Sequence, residues 1–201
     1  MRRELRRMTD YFALMRQPRR PWLDPQALKQ IYHELTRTLH PDRQAPDRNS
    51  SNSDTDFTII NEAYRILTNP KLRLRHLLTL EGRAPVANGS ASDELMELFP
   101  QIGGLVREID HLIEKLSDSS NSLTQSLLQS DLIEKQARCS DLLIKLNDLY
   151  KDAMEELRTL DRLWAGQSAK ILDELEKLYL KISYLMRWMD QLAERQFQLA
   201  Q

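Results

Sequence analysis

The sequence predicts an all-α chain in two parts, on three observations. Glycine (5) and proline (8) are sparse among 201 residues and β-branched runs are scarce, so little divides the chain into strands and turns. Long stretches repeat apolar residues at alternating four- and three-residue steps, the period of helices that bury one face against another. A segment rich in small residues, "EGRAPVANGSAS" (81–92), separates short helical signals from long ones. The two parts also differ in charge. Residues 1–82 carry 15 Lys/Arg against 10 Asp/Glu (+5) and residues 83–201 carry 14 against 20 (−6), which recovers the net −1. Opposite charges on two modules suggest a different partner for each.

In chain order, "MRRELRRM" (1–8) is basic but leads into no apolar core, and is read as an extension rather than a secretory signal. Asp24-Pro25 opens the first substantial helix, with a side-chain acceptor at the cap and a residue preset for the first turn. Leu28, Ile31, Tyr32, Leu35 and Leu39 then form one apolar face. The helix must end near Leu39, because Pro41 disfavours an α conformation at His40 and has no backbone N–H to donate. The segment "RQAPDRNSSNSDT" (43–55) shows no periodicity and reads as a flexible loop. Helix resumes by Asp56, with Ile60, Ala63, Tyr64 and Leu67 on one face, and closes at "TNP" (68–70). Two helices across a polar loop pair naturally as an antiparallel hairpin, which places His40-Pro41-Asp42 at its exposed tip.

Beyond residue 92 the signals lengthen. Ser90 with Asp93, and Ser122 with Gln125, have capping-box spacing. A helix from about Asp93 to Leu116 contains Gly103-Gly104, an expected kink or break. From Cys139, the positions Leu143, Leu146, Tyr150, Ala153, Leu157, Leu160 and Trp164 form an unbroken seam. After "AGQS" (165–168) a second seam runs through Ile171, Leu175, Leu178, Ile182, Leu185, Met189 and Leu192, flanked by Leu172, Tyr179 and Met186. These two should fold back as a long antiparallel pair. The helix from Asp93 should complete a bundle, since a lone hairpin would leave broad apolar faces half exposed.

Several function classes find no support. No apolar run is long enough to cross a bilayer, so no membrane partner is expected. A single Cys139 forbids an internal disulfide, offers no thiolate cluster for zinc, and suits a reducing cytoplasm. His33, His40, His76 and His111 lack metal-ligand spacing, and no Gly-rich phosphate loop, nucleophile elbow or HExxH is present. No metal, cofactor or enzymatic activity is therefore expected. His40 and Asp42 could form an acid–base pair, but nothing near a loop tip shields them from water. The basic N-terminal part has few aromatics to stack on bases, so nucleic acid is not an expected partner. What remains is a pattern of charge. Lys29, His33 and Arg37 fall at i, i+4 and i+8, away from the apolar stripe, and Arg43 follows the tripeptide. Such a stripe reads either as a solvated face or as a docking edge for an acidic protein surface.

Here the residues resemble a known family. "YHELTRTLHPDR" and "INEAYRILTNP" look like the second and third helices of a J-domain with His-Pro-Asp between them. "DYFALMRQPRRPWLDPQAL" and "PKLRLRHLLTLEG" resemble the flanking elements of one subfamily, the HscB-type co-chaperones of iron–sulfur cluster assembly. Tyr11, Phe12, Leu14, Pro18, Leu23, Asp24 and Leu28 match in the first; Pro70, Arg73, Leu77, Leu78, Leu80 and Gly82 match in the second. The resemblance covers residues 9 to 82. It implies a J-domain that docks on a DnaK/HscA-type chaperone and triggers ATP hydrolysis there, with Lys29, His33, Arg37 and Arg43 meeting an acidic surface and His40, Pro41 and Asp42 engaging the switch. The family's aromatic-Gly-Leu is Met15-Arg16-Gln17 here, which implies a first turn that packs differently.

The family's second half is a helical bundle that binds the scaffold protein on which clusters are built. "ELMELFPQIGGLVREID" loosely resembles the binding stretch: Leu95 and Met96 match, Phe99 lies nearby, and Pro100 and Gly103-Gly104 are foreign to it. Positions 95 and 99 share a helical face, so the three are read either as core or as a client-binding patch. The bundle is longer than usual, and the zinc-binding cysteines of eukaryotic members are absent. The expected division is a basic extension (1–8), a J-domain (9–82), a linker (83–92) and a client-binding bundle (93–201). The arm would deliver an iron–sulfur scaffold protein; alternatively it binds a different client or has an assembly or adaptor role.

Overall fold

The protein is described by a computed structural model, which covers residues 9–39, 50–85, 93–118, 122–164 and 169–200. Among these residues there are seven helices and no strand: α1 (Tyr11–Leu14), α2 (Pro25–Leu39), α3 (Ser50–Thr68), α4 (Pro70–Leu80), α5 (Asp93–Asp118), α6 (Ser122–Leu163) and α7 (Ala169–Gln198). The all-α expectation holds. Packing divides the chain into two compact units: residues 1–86 with 157–179, and residues 87–156 with 180–201.

The first unit is built on capped, short helices. Asp10 caps α1 by accepting from the N–H groups of Phe12 (3.0 Å) and Ala13 (3.3 Å), and also pairs with Arg19 at 2.7 Å. Burial alone would raise the Asp10 pKa; the Arg19 hydrogen bond and the two backbone donors outweigh it and hold the carboxyl below its ordinary value. The turn out of α1 answers the expectation raised by Met15-Arg16-Gln17. Met15 is completely buried, while Arg16 adopts φ 50° with an exposed side chain. A left-handed conformation costs a non-glycine residue roughly 1–2 kcal/mol, so Arg16 holds a turn that a glycine would adopt without that cost.

Asp24 and Pro25 open α2 as expected, the Asp24 carboxylate accepting from Gln26 N–H at 2.9 Å. Helices α2 and α3 pair through Tyr32, whose ring stacks on Tyr64 at 4.1 Å and whose hydroxyl donates to Asn61 Oδ1 at 2.8 Å. Ile60, Ala63 and Leu67 are buried beneath them. Helix α3 begins at Ser50, six residues before the expected start at Asp56. The stretch "SSNSDTD" (50–56) has no apolar side chain, so periodicity cannot register its helix. Asn69 caps α4 and Pro70 takes its first position. Buried Arg73 on α4 donates to the carbonyls of Pro21 (2.8 Å) and Leu67 (2.6 Å), tying the α1–α2 loop to the end of α3.

Residues 157–179 of the long helices belong to this same unit. Buried Asp161 accepts from Arg20 Nε (2.9 Å) and from Trp22 N–H (3.0 Å), and Trp164 Nε1 donates to Arg19 O at 2.7 Å. Arg158 lies over the Trp22 ring, and Arg83 pairs with Asp173 at 2.8 Å. The compact unit around the first four helices thus includes a stretch of chain that sequence alone assigned to the arm.

The second unit is a three-helix arrangement of α5, residues 122–156 of α6 and residues 180–198 of α7. Leu95, Leu98, Ile102, Leu105, Ile109 and Leu112 make a continuous buried stripe along α5. That stripe corrects one expectation: α5 runs unbroken through Pro100 and Gly103-Gly104. A helical glycine costs only about 1 kcal/mol, which burial of the flanking leucines and isoleucine exceeds. The two seams are confirmed as an antiparallel pair, since Gln136 meets Leu199, Cys139 meets Leu192 and Ser140 meets Gln196. Cys139 is buried and its thiol pKa is pushed up by that burial, so it is part of the core.

Candidate functional sites

Two surfaces carry the residues singled out by sequence, one in each unit. On α2, the apolar face turns Leu28 inward, and the opposite face exposes Lys29, His33 and Arg37 over two helical turns. No described acidic residue forms an ion pair with Lys29 or Arg37, so the stripe presents its charge outward among the described residues. His40, Pro41, Asp42 and Arg43 lie outside the described residues. The helix carrying the stripe ends at Leu39, immediately before them.

The second surface divides the expected Leu-Met-Phe cluster. Leu95 is 1% exposed and belongs to the core, whereas Met96 (60%) and Phe99 (61%) stand out in solvent. Positions 95 and 99 therefore do not share a face here; 96 and 99, one turn apart, do. The reason is the α5 stripe. Leu95, Leu98 and Ile102 set the inward direction, and Met96 and Phe99 fall outside its arc. Phe99 lies 6.4 Å from the ring of Trp188 on α7, which in turn lies 5.6 Å from Tyr184, and Arg187 sits over Tyr184 at 5.7 Å. Sequence reasoning missed Tyr184, Arg187 and Trp188, although an aromatic pair at i, i+4 beside a seam was a visible signal.

Among the described residues no three His, Cys, Asp or Glu side chains converge as metal ligands, and no helix is long and apolar enough to cross a membrane. His76, the most enclosed of the described histidines, is structural: its Nε2 accepts from Tyr11 N–H at 3.1 Å and its ring stacks on Phe12.

Comparisons with known proteins agree with the arrangement. Residues 10–76 match the family model of the DnaJ domain. The chain is 29% identical over 182 residues to the co-chaperone protein HscB of Proteus mirabilis, spanning 88% of this chain and 95% of that protein. It is 41% identical over 75 residues to the co-chaperone protein HscB homolog of an Azoarcus species, spanning 36% of this chain and 42% of the relative. Among solved structures, chaperone HscB from Vibrio cholerae has a similar fold, with a TM-score of 0.52 at 17% identity, covering 95% of this chain and 99% of that one.

Proposed function

We propose that this chain is a J-domain co-chaperone of the HscB type, which docks on an Hsp70-type chaperone of the DnaK/HscA kind and stimulates its ATPase, with no catalytic step of its own. The observation that carries the reading is a DnaJ domain whose second helix exposes Lys29, His33 and Arg37 and ends just before His40-Pro41-Asp42. The stripe with Arg43 supplies attraction to an acidic surface. His40, Pro41 and Asp42 engage the chaperone's switch, with Pro41 stiffening the tip. Single-turnover ATP hydrolysis by a purified DnaK-type chaperone, with and without this protein, tests the reading.

The division of labour follows the sequence: residues 9–82 form the J-domain, 83–92 the linker and 93–201 the client arm, with 1–8 as a basic extension. The arm's cargo is an iron–sulfur scaffold protein, and the exposed Met96 and Phe99, backed by Tyr184 and Trp188, form its docking patch. Leu95 supports that patch from the core and does not touch the client. Adaptable apolar side chains rimmed by charge such as Glu97 and Arg187 suit a partner hot spot. A second reading keeps the J-domain and gives the arm a different client. Pro100 and Gly103-Gly104 beside the patch favour it, because α5 runs unbroken through them yet they are foreign to the binding stretch that the segment resembles. Pull-down of a cluster scaffold by the full chain separates the two. A cytoplasmic setting belongs to the same proposal and suits a free thiol kept in the core.

A further inference from the structure

The second unit carries another exposed apolar surface, away from the client patch. Ile133 (58% exposed) and Ile144 (62%) lie on one outer stripe of α6, at i and i+11, with the small side chains of Ala137 and Ser140 between them. Ser140 accepts from Gln196 of α7 at 3.0 Å, and the neighbouring Phe197 is 66% exposed, which extends the stripe onto α7. Helix α7 turns Arg195 toward Asp110 of α5 and Gln196 toward α6. The Met96/Phe99 patch is on the α5 side of α7 and this stripe on the α6 side. Large exposed apolar residues scattered singly need no explanation, but three on one continuous face do.

The charges bordering the stripe identify the occupant. Glu134, Arg138, Asp141 and Lys145 follow one edge of it in the order minus, plus, minus, plus; all four are exposed, and Arg138 also pairs with Glu108 of α5 at 2.7 Å and Glu134 with Lys135 at 3.0 Å, so these two would have to share their charge with the second copy. Read backwards, that order is its own complement. A second copy of α6 laid antiparallel sets Glu134 beside Lys145 and Arg138 beside Asp141, each pair occurring twice by symmetry. The same reversal sets Ile133 against Ile144, because the two pairings share a midpoint to within one residue. Ala137 then meets Ser140 of the other copy, twice by symmetry, at the crossing, where small side chains allow close approach. A parallel arrangement would instead set like charge against like. Self-complementarity about one point is what a two-fold interface requires.

We propose that this chain associates with a second copy of itself through the outer face of α6, as an antiparallel pair centred between Ala137 and Ser140 with Phe197 at its edge. The test is sedimentation equilibrium of the full-length protein up to about millimolar concentration, the range that reports Kd values down from ~1 mM. The expected result is a concentration-dependent dimer that Ile144→Glu dissociates without loss of helicity. Lys145→Glu should weaken it about tenfold, a change of roughly 1.4 kcal/mol spread over two symmetric pairs. Adding Glu134→Lys to Lys145→Glu should restore it. A wild type that stays monomeric throughout overturns the proposal, as does a dimer indifferent to Ile144→Glu. Failure of the double variant to recover overturns the antiparallel pairing, and this arm is independent of any effect of Ile144→Glu on folding.

Discussion

The basic face of α2 and the Met96/Phe99 patch of α5 are both exposed stretches of two helical turns or fewer, yet they differ in kind. On α2 the candidate residues are charged, and charge has only one ordinary place on a helix, the side away from the core. On α5 the candidates are apolar, and an apolar side chain is equally at home in the core or in a partner's pocket. The first surface could therefore be placed from the sequence by periodicity. The second needed the structure to take Leu95 inward and leave Met96 and Phe99 outside.

The largest expected effect sharpens the J-domain side of this contrast. His40→Gln should abolish stimulation of the partner's ATPase while circular dichroism and Tm stay at their wild-type values. Unchanged stimulation in a folded variant would remove the tip from the mechanism and leave the α2 stripe as a solvated face.

On the arm, adjacent residues make the sharper comparison. Leu98→Ala should destabilise the bundle by about 2–5 kcal/mol, as truncation of a fully buried leucine does. Met96→Ala with Phe99→Ala should cost about 1 kcal/mol or less, mostly the Phe99–Trp188 ring contact. Scaffold binding should show the reverse order, lost in the double variant and kept by whatever fraction of Leu98→Ala remains folded. A large drop in Tm for the double variant would return both side chains to the core.

These outcomes bear on what the sequence could disclose. The capped start at Asp24, the end of α2 at Leu39 and the two long seams were legible because each depends on local chemistry or on a period. The first turn of α3 was not, since a helix with no apolar side chain has no period to detect. Gly103-Gly104 misled for a related reason: local propensity argued for a break, and the buried stripe from Leu95 to Leu112 overrode it. The Asp161 clasp was invisible. A lone Asp near the end of a polar helical face gives no sign that Arg20 and Trp22, some 140 residues earlier, will close on it. Asp161→Ala tests the clasp. With Trp22 N–H losing its acceptor, it should cost about 1–3 kcal/mol, and the loss should appear as a lower Tm, with the ATPase assay reporting whether the J-domain still works.

A smaller effect concerns the α2 stripe itself. Lys29→Glu with Arg37→Glu should weaken docking on the chaperone several-fold and flatten its salt dependence, because exposed charges are screened within about 8 Å at physiological ionic strength. Binding that is insensitive to salt and to both substitutions would place the contact elsewhere. The equivalent salt series on scaffold binding should be nearly flat, since the arm's patch is apolar.

The smallest effect separates the two units by pH. His76 lies in the first unit, and its pKa is held below the ordinary histidine value by burial, which outweighs the preference of Asp10 for the charged form and is reinforced by Arg19. Its Nε2 is already occupied as an acceptor for Tyr11 N–H, so protonation there would replace a hydrogen bond with two facing donors. The folded state binds fewer protons at this site than the unfolded chain, so stability rises with pH through the titration. The contribution is complete above the unfolded pKa of about 6.5 and declines as pH falls below it. Near-ultraviolet dichroism of the wild type should show a Tm that falls on acidification from about pH 7.5 toward pH 5, a range set by that unfolded value. His76→Gln keeps an acceptor for Tyr11 without titrating, and should remove this part of the slope while carboxylate effects remain. An identical slope in the variant would mean that other groups govern the acid response and that His76 only fills space.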